Sequence, residues 1–509
     1  MSKEGPLRCD AEPDPARSGS HRFNNSLKRA SRLSLLGLLS IDSRAAEPAA
    51  LRESGSSALR SVLHNDTTDS AASQHKPMGN IPVEIYRRII GYTVRLAGTS
   101  LTNLEDPFKP GECEDVLGAA DPDMLADRRC HLSICRDWRL ITLEIVSEYV
   151  SIFSPQQLSA MIKLLAPAKK GRKRATRASG YGRWTLRIDL HVSLDPYPAK
   201  QIVKLIQCAP NLQVFTVHDK HPSERPHLRQ TAPEVIRALT ERKKLKRLDW
   251  TSQETITWHD VVTLSRNLPL LESFRLFCLY TYKGIETAKI PPHFPNLKTL
   301  ALGPIPMPTT PLPPPLPWNY LLTSLSVSPK QLPCLERLDI ESFPEDSCPF
   351  IQLHGGRIKY LRTTTYTLFE STRLRTYLPL FPNLDTLVVS HGSEFEFIRS
   401  PPTHSTLRRI CIVPLVEDLV EVPYRIFSHA VLTPLEGIMM IFEDMRLPNL
   451  QMLRIKNIGA LADLEEHPAW LQLWWRRWTL RGVRFEDKNG QIYRTARRDD
   501  DALLNSVRG

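Results

Sequence analysis

The feature that most restricts what this chain can fold into is a recurring octet, Pro-x-Leu-x-x-Leu-x-Leu, with Phe, Val, Ile or Trp at some of the leucine positions. It occupies 210–217, 269–276, 295–302, 333–340, 382–389 and 448–455. Weaker copies lie at 245–250, 358–362 and 407–412. The first Leu or Ile of each copy falls at 212, 245, 271, 297, 335, 358, 384, 407 and 450, in steps of 23 to 43 that gather near 26. Alternating Leu-x-Leu builds a strand with its leucines on one side. Between copies, Ile202, Leu205 and Ile206, then Val235, Ile236 and Leu239, have helical spacing. A unit this short cannot close a core of its own, so neighbours must stack. The expected class is α/β: a curved parallel sheet inside, helices outside, coiled as a solenoid. The longer steps predict insertions. One is the proline-rich run 304–317, which reads as a polyproline-like spacer.

Upstream, Ile81, Pro82 and Ile85 open a second kind of pattern. Pro82 suits a first helical turn, where its missing N–H has no partner to lose. Ile81, Ile85 and Ile89 then mark one apolar stripe. After an acidic gap, Leu132, Cys135, Trp138 and Ile141 recur at steps of three, which predicts a single helical face with Cys135 packed in a core. Two short helices cannot bury a stable core alone.

The run Pro82-Val83-Glu84-Ile85, followed by Leu132-Ser133-Ile134-Cys135-Arg136-Asp137-Trp138-Arg139, resembles an F-box, the small helical module that docks on the Skp adaptor of cullin-RING ubiquitin ligases. Residues 148–158 look like the segment that follows this module in many fungal F-box proteins. Ile81 stands where that family usually has Leu. The connection is also long: 99–127 carries eight acids against Lys109 alone. The resemblance implies an adaptor-docking surface at Ile81, Pro82, Ile85, Leu132, Cys135 and Trp138, some of which hold the two helices together.

The octets resemble the leucine-rich repeats often found behind an F-box, with steps near the ~20–29 residues usual for such units. The Asn or Cys customary after each strand is mostly missing, with Ile305, Gly392 and Ile458 in those places, so an irregular outer side is expected. Residues flanking the middle leucine should point out of the concave face: Arg247 and Asp249, Ser273 and Arg275, Arg337 and Asp339, Tyr360 and Arg362, Met452 and Arg454. Arg recurs in that column, which suits a protein substrate with acidic or phosphorylated segments.

The implied organisation is a tail (1–78) too poor in aromatics to order itself, an F-box-like module (79–166) with its acidic insertion (99–127), a basic linker (167–183), the solenoid (184–480), and a C-terminal cap with a frayed tail (481–509). In the tail, 27–39 could form an amphipathic helix. Trp470, Trp474 and Trp478 recur at four-residue steps and predict a plug on the last repeat. Asn489-Gly490 between short apolar runs predicts a hairpin. The net charge of +12 arises mostly in 163–183, which holds eight basic residues and no acid. Its core, 169–177, is a candidate nuclear-import signal, and the expected location is cytoplasmic, nuclear or both. Nucleic acid is not the expected partner, because no aromatics interleave the basic run. The alternatives are a repeat scaffold without a ligase role and a nucleic-acid-associated factor led by 169–177.

The nine cysteines form no Cys-x-x-Cys pair and the histidines have no metal spacing, so neither a zinc site nor a disulfide framework is expected. No phosphate loop, zincin motif or nucleophile elbow is present. The expectations are therefore no catalytic residue, no cofactor, no membrane span and no enzymatic activity in this chain.

Overall fold

The computed structural model describes residues 81–109, 122–167, 180–191, 198–218, 229–250, 254–277, 279–280, 291–303, 318–341, 343–365, 374, 376–391, 403–414, 424–456, 468–487 and 490–492. The tail helix at 27–39, the basic run 169–177 and the proline-rich run 304–317 lie outside them.

Three helices come first: α1 (Val83–Val94), α2 (Pro122–Ile134) and α3 (Arg136–Val146). The first and third meet over Ile90, Val94, Ile141, Ile145 and Val146, with Tyr86 and Trp138 at the margin. Arg128 of α2 is buried and donates through Nε and Nη2 to the Val94 carbonyl at 3.1 and 2.7 Å, which satisfies an end of α1 that has no intrahelical partner. The step-of-three face does not exist as one helix. Chain direction changes at Cys135, whose extended backbone caps α3 while its sulfur accepts from the Trp138 amide at 3.5 Å. Cys135 is exposed, not packed in a core.

The repeats follow as β1 (Tyr149–Ile152), α4 (Pro155–Leu165), β2 (Arg187–Leu190), α5 (Ala199–Cys208), β3 (Val214–Val217), β4 (Arg229–Gln230), α6 (Pro233–Thr240), β5 (Arg247–Trp250), β6 (Glu254–Thr257) and α7 (Trp258–Asn267). Then come β7 (Ser273–Leu276), β8 (Leu279–Tyr280), β9 (Thr299–Leu302), α8 (Trp318–Leu325), β10 (Arg337–Ile340), α9 (Cys348–His354), β11 (Tyr360–Thr365) and β12 (Thr386–His391). The chain closes with β13 (Arg409–Pro414), α10 (Tyr424–Asp444), β14 (Met452–Ile455), α11 (Pro468–Leu480) and β15 (Arg484–Glu486).

Twelve of these strands form one open parallel sheet in the order β1-β2-β3-β5-β7-β9-β10-β11-β12-β13-β14-β15. Strands β4, β6 and β8 make a small separate sheet. Every octet leucine counted in the sequence is followed two residues later by a strand of the large sheet. The middle leucine position lies in register from Val150 through Ile188, Phe215, Leu248, Phe274 and Leu300 to Phe485, and all are buried. They join one continuous core with the inner faces of the helices, including Ile202, Leu205, Ile206, Val235, Ile236 and Leu239.

Three strands of the large sheet carry no octet. β1 and β2 put the start of the sheet at Tyr149, well before residue 184. β15 extends the sheet as a twelfth rung, so the predicted C-terminal hairpin is reduced to one antiparallel bridge, Glu486 to Ile492, around Gly490 at φ +78°. Trp474, Trp475 and Trp478 are buried against that edge, as a plug requires.

The Asn of Pro-Asn-Leu has a mechanical role. Asn211 donates to the Arg183 carbonyl, Asn296 to Pro269, Asn383 to Gly356 and Asn449 to Ser405, each at 2.6–2.8 Å and each into the preceding turn of the coil. Buried histidines do the same: His354 Nε2 donates to the Leu325 carbonyl at 2.9 Å and His404 Nε2 to Phe381 at 3.0 Å. At Gly355 a Cβ would lie 2.3 Å from the Leu380 carbonyl, so successive turns approach too closely there for any side chain.

Candidate functional site

The residues flanking the middle leucines lie in two rows across the sheet. One row runs Arg187, Val214, Arg247, Ser273, Thr299, Arg337, Tyr360, Thr386, Arg409, Met452 and Arg484. The other contains Asp189, Asp249, Arg275, Asp339, Arg362, Arg454 and Glu486. The expected concave-face residues therefore do share one side of the sheet.

They are not open to solvent. Arg247, Asp249, Arg337, Asp339, Tyr360 and Arg454 are buried, and Arg275, Arg362 and Met452 are half-buried. The first part of the acidic insertion, 98–109, lies over them as a strap that opens and closes on a turn, with Leu101 N–H donating to Gly98 and Lys109 N–H to Asp106. Four arginines grip it in one geometry. Arg187 donates through Nε and Nη2 to Asp189 and through Nη1 to the Gly98 carbonyl at 2.9 Å. Arg247 bonds Asp249 in the same way and gives Nη1 to the Asn103 carbonyl at 2.6 Å. Arg337 holds Asp339 at 2.8 and 2.7 Å and reaches the Leu104 carbonyl at 3.1 Å. Arg454 holds Glu486 with Nε and Nη2, and its Nη1 meets the Pro107 carbonyl. A guanidinium has the planar fork this needs, with one edge on a carboxylate and a further N–H to spare.

Side chains of the strap add specific anchors. Glu105 pairs with Lys456. Phe108 packs on Tyr360, Val388, Cys411 and Val413, with the guanidinium carbons of Arg409 and Arg454 at 5.4 and 5.1 Å from its ring centre. Asp106 turns the chain by accepting from the Phe108 amide at 3.0 Å. Burial pushes the Cys411 thiol up to about 12 and raises the Tyr360 hydroxyl well above its ordinary range. For Arg337 burial opposes the charge, and the Asp339 carboxylate outweighs it and holds the guanidinium protonated.

Among the described residues, Asp189, His191 and His218 place ligand atoms within 4.8 Å of one another. The chemistry does not suit a metal. The Asp189 oxygens already accept from Arg187 and Tyr149. The two imidazoles are stacked at 4.4 Å with planes 5° apart, and parallel planes share no point that a cation could occupy in line with both lone pairs. Phe153 continues the stack over His191 at 4.6 Å, so these rings pack the ends of the first three strands. Burial would raise Asp189, but the hydrogen bond from His218 and the charge of Arg187 prevail and hold its carboxyl well below the usual range.

A second surface lies on α1. Its inner side carries Tyr86, Ile90 and Val94. Its outer side is also apolar: Ile81 just before the helix and Ile85 and Ile89 on it are 49, 44 and 47% exposed, with Tyr92 still more open, and Ile134 at the end of α2 exposed as well. Half of the exposed large hydrophobic residues described lie in this short module, although the solenoid is far longer.

No family model matches the chain, and no curated protein matches it. A solved structure to which it is similar is a Bacteroides fragilis protein, a structural-genomics target, at 12% identity over 65% of this chain and 70% of that one, with a TM-score of 0.28. A likeness of that degree carries no argument for function. No described helix is long and apolar enough to cross a membrane.

Of the six residues expected at an adaptor surface, Ile81, Pro82, Ile85 and Cys135 are exposed. Leu132 and Trp138 are half-buried, and Trp138 acts as a wedge between helices, 6.1 Å from Tyr86 and 5.0 Å from His131 between ring centres. The sequence reading missed Tyr92 and Ile134 on the open side of the module, and Arg187, Arg409, Lys456 and Glu486 under the strap. One signal was available. Arg-x-Asp recurs at 187–189, 247–249 and 337–339, and residues two apart on a strand share a face, so each pair was bound to meet.

Proposed function

We propose that this chain is the substrate-recognition subunit of a Skp–cullin–F-box ubiquitin ligase. The helical module would seat a Skp-type adaptor, and the solenoid would hold the protein to be modified. The chain would perform no chemistry itself. It would supply proximity, holding a lysine-bearing partner where a charged ubiquitin can be transferred. The observation that carries this reading is the outer face of α1. An apolar face of Ile81, Ile85, Ile89 and Tyr92 that nothing in the described chain covers is what a partner surface looks like before its partner arrives. The F-box resemblance says which partner it fits.

One observation favours the scaffold alternative. The module also closes the first edge of the sheet: Arg87 pairs with Glu144 and lies 4.5 Å over the Trp184 ring, and Arg95 holds Glu148 at 2.9 Å, just before β1. End caps need such contacts whether or not an adaptor binds.

Co-purification of the full chain with a Skp-type adaptor separates the two. The double variant Ile85→Glu, Ile89→Glu alters exposed positions, so the fold should survive and adaptor capture should drop at least tenfold. Capture that persists unchanged in a folded double variant sinks the ligase reading and leaves the scaffold.

A further inference from the structure

The strap is held in a manner that need not be permanent. Its four arginine contacts all go to backbone carbonyls, which any peptide chain offers. Each arginine is already oriented and neutralised by its own acid, so the groove stays organised whatever lies in it. Only a short stretch, Leu104-Glu105-Asp106-Pro107-Phe108, is read by side chains: Lys456 takes the acid, Asp106 sets the turn, and the floor around Cys411 takes the ring. We propose that 98–109 is an internal stand-in for a ligand. The groove beneath it would be a peptide-recognition site for an extended, unmodified acidic segment of another protein, with the pattern apolar-acid-acid-Pro-aromatic. This supplies the substrate class for the receptor proposed above, and it rests on that reading only for the fate of the captured protein. It also replaces a phosphorylated ligand with a carboxylate one, because the strap's own acids fill the basic end of the groove without phosphate.

A tethered occupant competes at an effective concentration on the order of millimolar. A free ligand should therefore bind poorly until the strap loosens. The test uses the full chain and a fluorescein-labelled peptide with the sequence of residues 98–109, read by anisotropy. Phe108→Ala in the protein removes the strap's ring and leaves the groove intact. It should bind the peptide at least tenfold more tightly than the unaltered chain. A peptide carrying Lys in place of both acids should lose at least tenfold. Glu105→Gln is a milder loosening, read alongside in case Phe108→Ala does not fold, and should give a smaller gain in the same direction. Three results overturn the proposal: no gain in a folded variant, equal binding of the charge-reversed peptide, or failure of both single variants to fold at all, which would make the strap an obligatory part of the core. Adaptor capture is measured on the same samples. Peptide binding without adaptor capture leaves this inference standing and removes the ligase reading; adaptor capture without peptide binding does the reverse.

Discussion

At Arg247 one guanidinium holds Asp249 Oδ2 and a strap carbonyl together, Asp249 Oδ1 is buried without a further partner, and neither residue of the pair reaches solvent. Removing one partner of such a pair leaves the other charged and stranded, at a cost of about 3–5 kcal/mol, whereas removing both is close to neutral. Arg247→Met should therefore lower stability by about that amount in urea unfolding, and adding Asp249→Leu should restore most of it. Equal losses in the single and double variants would place the cost in the strap contact instead. His354 gives a pH prediction of definite sign. Burial, helped by nearby Arg357 and opposed by the hydrogen bond to Leu325, lowers its pKa below the ordinary histidine value. Its Nδ1 is buried with no acceptor, so a second ring proton would have no partner. The folded state thus binds this proton less readily than the unfolded chain. Stability from this group is full above about pH 6.5, declines as pH falls through that value, and levels off below the folded-state pKa. Urea midpoints at pH 7.5 and 5.5 should differ less in His354→Gln, which keeps a donor for Leu325 and cannot titrate.

At the scale of elements, the Pro-Asn-Leu turn joins four of the coils to the one before it, through Asn211, Asn296, Asn383 and Asn449. Asn383→Ala removes a single amide donor at the surface and should cost about 1 kcal/mol, with no change in adaptor capture; a negligible shift in urea midpoint would mean water replaces the amide freely. This turn also explains why so much of the sheet could be read in advance. Leu-x-Leu fixes which side faces inward, and a Pro two residues before the first leucine announces six of the strands, so β3 through β14 were legible wherever the octet was present. Tyr149-Val150-Ser151-Ile152 and Arg187-Ile188-Asp189-Leu190 alternate too, but no proline announces them, and the former sits where the F-box resemblance suggested another role. Cys135 misled for a different reason. A step of three fits one continuous helix and equally the junction of two, and only backbone geometry tells them apart. The outward orientation expected of the Arg column was right in direction and wrong in exposure. The segment that covers that column is bound by its carbonyls, and carbonyls leave no trace in a sequence.

The whole molecule departs from a simple stack because of that cover. In a solenoid each repeat touches only its neighbours, so long arrays lose cooperativity and their ends can unfold separately. Here Arg337 meets Leu104 across 233 residues of sequence, and Lys456 meets Glu105 across 351. From β2 to β14 there are nine strand intervals, roughly 43 Å along the sheet at ~4.8 Å each. The nine residues from Gly98 to Pro107 span at most about 31 Å when extended at ~3.4 Å each. The strap therefore runs as a chord beneath an arc, and the long arginine side chains reach up to it from a sheet that must curve. A chord fixed at both ends resists opening of the arc, so the two ends of the solenoid are coupled through it as well as through the stack. Glu105→Gln with Phe108→Ala weakens its far end alone, where Lys456 and the Cys411 floor hold it. Urea unfolding of the unaltered chain, followed by hydrogen exchange of the amides in α11 at the C-terminal plug and by far-ultraviolet dichroism for the whole sheet, should give coincident transitions. In the double variant the α11 transition should move to lower urea and separate from the dichroism. Coincident curves in both proteins would mean that nearest-neighbour packing alone carries the cooperativity, and that the strap lies on the arc without tightening it.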